Sequence, residues 1–147
     1  EDRMGRTRFL LFYLICGLAA AAAHIAVDPR SPIPTVGASG AISGVMGAYL
    51  VLLPRVRVRM LFVIVIFIKV FRIPAWLVLL YWFGLQLLSG LPQLLTPSPE
   101  LAGGVAVWAH VGGFVTGVLL AKAFEDPELN KLRRAILLSR RGSDALI

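Results

Sequence analysis

Residues 9–27, 74–95 and 105–124 are runs of largely apolar positions, each about as long as the roughly 20 residues a helix needs to cross a bilayer core of about 30 Å. Residues 36–53 form a shorter run that carries no charge. In hydrocarbon every backbone N–H and C=O must find its partner inside the chain, so such runs fold as helices and pack together. Composition agrees: 58% of the residues are hydrophobic, 16% are charged and the mean hydropathy is +0.81, outside the range of water-soluble domains. The expected fold class is all-α, a polytopic membrane helix bundle with four transmembrane helices and no soluble domain.

The fifteen Lys and Arg residues give the bundle an orientation. Arg3, Arg6 and Arg8 precede the run at 9–27; Arg55, Arg57, Arg59, Lys69 and Arg72 fall between 53 and 74; Lys122, Lys131, Arg133, Arg134, Arg140 and Arg141 end or follow the last run; only Arg30 lies elsewhere. Basic loops stay cytoplasmic, so residues 27–36 and 92–104 are expected to face outward. The net charge of +7 is then a topology signal with some attraction to anionic lipid, and no nucleic-acid partner is implied, because no basic run with interleaved aromatics lies outside the membrane.

Residues 56–73 are mostly β-branched or aromatic, bracketed by Pro54 and Pro74, and Lys69 and Arg72 interrupt them before a span is complete. The expectation is an interfacial or re-entrant segment on the cytoplasmic face. In residues 126–147 Leu129, Leu132, Ile136 and Leu137 fall near helical spacing among Lys and Arg, which predicts a basic cytoplasmic tail with a surface helix. Glu1 stands where a start methionine would, and the charged opening resembles a loop between helices, so the chain is expected to be cut from a longer one. Cys16 reads as a small apolar filler. Two histidines and one cysteine on separate elements offer no metal site, and no cofactor is expected.

Gly40, Gly44 and Gly47 fall at i, i+4 and i+7, and His110, Gly113 and Gly117 at i, i+3 and i+7. Each set lines one face of its helix, and stripes of bare backbone let two helices approach until short side chains touch. Ser39 lies sixteen residues before Arg55 and His110 fifteen before Glu125. At about 1.5 Å per residue both sit roughly 23 Å above the cytoplasmic boundary, a few ångströms below the outer surface. An intramembrane histidine at the depth of a serine suggests a nucleophile and its general base. His24, at the outer end of the first run, is the other candidate base and reads more simply as an interfacial histidine; Ser43 reads as a packing residue. Asp28 and Glu100 are not positioned by sequence to orient His110, so a dyad is expected rather than a triad. A transporter or channel would want more polar residues along a pathway than Ser39, Ser43, Gln86, His110, Thr116 and a few tyrosines supply.

The segment from Gly37 through Ser39 and Gly40 to Gly47, followed by Ala109-His110-Val111-Gly112-Gly113 and on to Gly117, resembles the rhomboid intramembrane serine proteases. The likeness extends to Cys16-Gly17, to Pro74-Ala75-Trp76 and to Trp82 through Gln86, and covers residues 1–125, with 126–147 outside it. It implies the last four helices of a six-helix core, with Ser39 as nucleophile and His110 as general base. The backbone amides of Ala38 and Ser39 become oxyanion contacts, and Gly40, Gly44, Gly47, Gly113 and Gly117 pack the helices. The implied partners are transmembrane protein substrates and the lipid bilayer, in what is expected to be a bacterial inner membrane, and the third helix, with Trp76, Trp82, Phe83 and the 92–104 loop hinged at Gly103-Gly104, is the implied gate. The family's His-x-x-x-Asn motif would lie before Glu1, so activity is expected to depend on that preceding helix. The aromatic expected four residues after the nucleophile is here Ser43, which leaves the support of the His110 ring to be found elsewhere. The alternative function is a catalytically inactive, rhomboid-like scaffold that binds membrane proteins.

Overall fold

The computed structural model describes residues 1–27, 29, 38–64, 67–95 and 106–144. Five helices form, α1 (Arg6–Val27), α2 (Ser39–Leu52), α3 (Ala75–Leu95), α4 (Val107–Phe124) and α5 (Pro127–Asp144), with strands β1 (Arg57–Ile64) and β2 (Phe67–Pro74) between α2 and α3. α1, α3 and α4 are long and apolar enough to cross a membrane. With its 14 residues α2 is about 21 Å long, short of a bilayer core. The expected four spans are therefore corrected to three spanning helices and one short apolar helix.

Protein packs α2 on two sides, although its Ile42 is exposed. Gly40, Ala41, Ser43, Gly44, Gly47 and Ala48 are all buried, between α1 on one side and α4 on the other. A Cβ at Gly40 would meet Ala20 and one at Gly44 would meet Cys16, both on α1; one at Gly47 would meet the Phe114 carbonyl on α4. The helix ends at Leu53, whose φ of −137° suits a residue whose α conformation is blocked by the following Pro54. Leu10, Leu14, Leu18 and Ile25 of α1 and Leu80, Leu88 and Leu95 of α3 are exposed, an apolar outer surface fitting contact with lipid chains.

The segment expected at the interface is an antiparallel hairpin, from Arg57 opposite Pro74 to Ile64 opposite Phe67. β-branched and aromatic residues favour strands, and Pro74 closes the last one, where its missing N–H costs nothing. This two-stranded ribbon is an addition to an otherwise helical bundle. The tail helix is also present: Asp126 caps it, its Oδ1 accepting the amides of Glu128 at 3.0 Å and Leu129 at 3.3 Å, with Pro127 at the first helical position.

The chain start and the α4–α5 junction meet at one end of the bundle. The Asp126 amide donates to the Arg3 carbonyl at 2.7 Å, Arg3 Nη1 donates to Asn130 Oδ1 at 2.7 Å, and Arg133 pairs with Asp2 at 2.8 Å. α2 runs parallel to α4, which brings Arg55 and the hairpin to this same end. The basic residues thus gather at the side that the charge bias assigns to the cytoplasm.

Candidate active site

The geometry of the site follows from how closely α2 and α4 approach. Gly113 lies on the Gly40 carbonyl and Gly117 on the Gly44 carbonyl, each leaving no room for a Cβ. Gly40 faces Ala109 in turn, its missing Cβ 3.5 Å from the Ala109 carbonyl oxygen. The contacts step along both helices in the same direction, and Gly40 lies between Ala109 and Gly113, level with residue 111, so the residues one step before each share a level. Those residues are Ser39 and His110.

Ser39 opens α2 and is exposed, and His110, the fourth residue of α4, is half-buried. Among the described residues no hydrogen bond joins the Ser39 hydroxyl to the imidazole; Nδ1 of His110 instead lies 2.9 Å from Oε1 of Gln86 on α3. Ala38 precedes the helix with φ −78° and ψ 2°, and no side chain caps α2. The first amides of a helix have no partners within it, so those around Ser39 carry the positive end of the helix dipole. His24 lies near the end of α1 and is half-buried. Asp28, Glu100 and the Gly103-Gly104 pair lie outside the described residues. The loop expected at 92–104 begins later than that, because α3 runs on through Pro92 to Leu95.

Ser43 does more than pack. It is 1% exposed, and its Oγ lies 2.6 Å from the Gly40 carbonyl oxygen and 2.9 Å from the His110 carbonyl oxygen, so its single proton is shared between α2 and α4. Both carbonyls sit in helices, so losing the hydroxyl leaves neither bare. Ser43→Ala is expected to cost about 0.5–1.5 kcal/mol, read as a lower melting temperature in detergent micelles. Ser43→Val should cost more, because the space beyond Oγ is taken by Gly113. Equal melting of wild type and both variants would show that this bridge contributes nothing.

Support for the His110 ring comes from α3. The Trp82 ring centroid is 5.8 Å from that of His110 and tilted by 43°, while Phe83 stacks on Phe114 at 4.4 Å. Trp82 and Phe83 therefore face α4, and Trp76 is the exposed one. Gln86 is the functional candidate that sequence reading passed over, naming it among the polar residues and in the Trp82 through Gln86 likeness without a role. The available signal was depth: a carboxamide in the middle of an apolar helix needs a partner, and few polar side chains lie in that part of the bundle.

No curated protein and no solved structure shows significant similarity to the chain. A family model, the Rhomboid domain, matches residues 1–125. That match takes in all of α1 to α4, the glycine contacts and both Ser39 and His110, and the chain is an integral membrane protein of the rhomboid family.

Proposed function

We propose that the protein is an intramembrane serine endopeptidase that cleaves transmembrane segments near the outer membrane surface, with Ser39 as nucleophile and His110 as general base. The observation that carries this reading is the parallel glycine contact of α2 and α4, which holds a hydroxyl and an imidazole at one level of the bundle. Family membership supports it.

In this mechanism Ser39 Oγ attacks the scissile carbonyl carbon while its proton passes to His110, giving a tetrahedral oxyanion. The amides of Ala38 and Ser39, at the positive end of α2, hold that oxyanion. Collapse breaks the C–N bond, and the leaving amine takes the proton from His110. Water, deprotonated by the same imidazole, then attacks the acyl carbon, and the C–Oγ bond breaks as His110 returns that proton to Ser39 Oγ. A substrate helix hides its carbonyls in its own hydrogen bonds, so segments with Gly, Ala or Pro near the outer boundary unwind at least cost. By family resemblance, α3 is the element that shifts to admit them.

A second reading, an inactive rhomboid scaffold that binds membrane proteins, is favoured by the absence of a Ser39–His110 hydrogen bond among the described residues. Catalytic hydrogen bonds are often long before substrate binds, so that absence alone does not decide. Labelling of the whole protein in membranes with a fluorophosphonate separates the two. Wild type and His24→Ala should be labelled, Ser39→Ala and His110→Ala should not. An unlabelled wild type puts the scaffold ahead, and loss with His24→Ala alone moves the base to His24.

A further inference from the structure

Three groups from two neighbouring helices converge on His110. Ser43 binds its backbone carbonyl at 2.9 Å, the Trp82 ring centroid lies 5.8 Å from that of its ring, and Gln86, one helical turn beyond Trp82 on the same face of α3, reaches its Nδ1 at 2.9 Å. Only the last of these can choose which ring nitrogen carries the proton. A neutral imidazole has one N–H and one lone pair, and the hydrogen bond made by one nitrogen decides what the other can do.

We propose that Gln86 is a positioning residue for His110: its side-chain oxygen accepts a hydrogen bond from the Nδ1 proton and so leaves Nε2 unprotonated to receive the Ser39 proton. The inference rests on the Ser39–His110 reading above. A base must present a lone pair to the proton that it takes, and the opposite tautomer would present an N–H to an O–H. Free imidazole exchanges between its two tautomers and rotates about its side-chain bonds. Fixing both from α3 removes those alternatives before substrate arrives. Gln86 thus does for orientation what the carboxylate of a catalytic triad does, but brings no charge with which to stabilise the imidazolium. Trp82, its ring tilted by 43° to the imidazole, bounds the ring's movement on that side.

The test uses the whole protein in liposomes, with Gln86→Leu and Gln86→Glu. Leu fills similar space without an acceptor, and Glu keeps oxygen as acceptor at both ends of the group. Gln86→Leu should lower kcat roughly 10- to 100-fold, as loss of an orienting partner does at other histidine sites, with KM within about twofold of wild type. Gln86→Glu should restore kcat to within several-fold. Nitrogen-15 NMR of labelled histidine supplies a readout that needs no turnover, and the His110 signal is assigned by its loss in His110→Ala. The wild-type His110 spectrum should show the proton on Nδ1, and Gln86→Leu should shift it towards a mixture of tautomers.

A wild-type kcat in Gln86→Leu overturns the proposal, and so does a proton on Nε2 in the wild-type spectrum. Gln86→Glu as impaired as Gln86→Leu overturns it too, since Gln86 would then be donating through its NH2 group. Should Gln86→Leu not fold, the wild-type spectrum and the Glu variant still decide. Failure of the dyad itself looks different: an unlabelled wild type with the Nδ1 tautomer intact removes the protease and keeps the Gln86 contact.

Discussion

Ser39→Ala and His110→Ala are each expected to lower kcat on a transmembrane peptide by on the order of 10^4- to 10^6-fold, and the double variant should lose little more than either alone. The reason is that in the proposed mechanism the two side chains act as one unit. A hydroxyl without a base is a poor nucleophile at neutral pH, and a base without its hydroxyl has no proton to take. What survives both changes is binding and the oxyanion contacts of the α2 amides, which do not depend on either side chain. Substrate affinity should change little, because neither group holds the substrate helix. Single-turnover kinetics in liposomes with the three variants measure this directly. Losses that multiply in the double variant would mean that Ser39 and His110 act independently, and a fully active Ser39→Ala would exclude it as the nucleophile.

Glycine spacing made the α2–α4 contact legible before any coordinates. A Cβ at Gly47, Gly113 or Gly117 would collide across the α2–α4 contact, while one at Gly40 or Gly44 would collide with α1 on the other side of α2. Charge placement likewise anticipated that the chain start, the hairpin and the α4–α5 junction share one end. The hairpin itself was hidden because its alternation is confined to one end: Arg57, Arg59 and Arg72 share one face and Val58, Met60, Phe71 and Ile73 the other, but further along Leu61 and Val70 make the first face apolar and Lys69 falls on the second. Its connecting residues Val65 and Ile66 are not turn formers either. α2 was overestimated for a different reason. An uncharged run looks like a span whether lipid or protein packs against it, and only the packing of α1 and α4 tells the two apart. Gln86 and His110 are 24 residues apart on different helices, and nothing local in either segment announces their contact. The Ser43 bridge escaped in the same way, since a serine that binds its own helix and one that joins two helices read alike.

The largest stability effect is expected at Gly117. A Cβ there would overlap the carbonyl and Cα of Gly44, which are backbone atoms and cannot swing aside as a side chain would. The helices must separate, and overpacking of this kind costs about 1–3 kcal/mol for a methyl and more for a larger group. Gly117→Ala should therefore melt well below wild type in detergent micelles, and Gly117→Leu should not fold into the native bundle. Activity should fall further than stability, because a displacement of about 1 Å between α2 and α4 moves Ser39 away from His110 and can cost on the order of 100-fold in rate. Gly84 on α3 is the internal control, since nothing lies within 4 Å of where its Cβ would be. Alanine is the better helix former by about 1 kcal/mol, so Gly84→Ala should melt at or above the wild-type temperature. Equal behaviour of Gly84→Ala and Gly117→Ala would mean that α2 and α4 are not in backbone contact, and with that contact would go the reason for Ser39 and His110 to stand at one level.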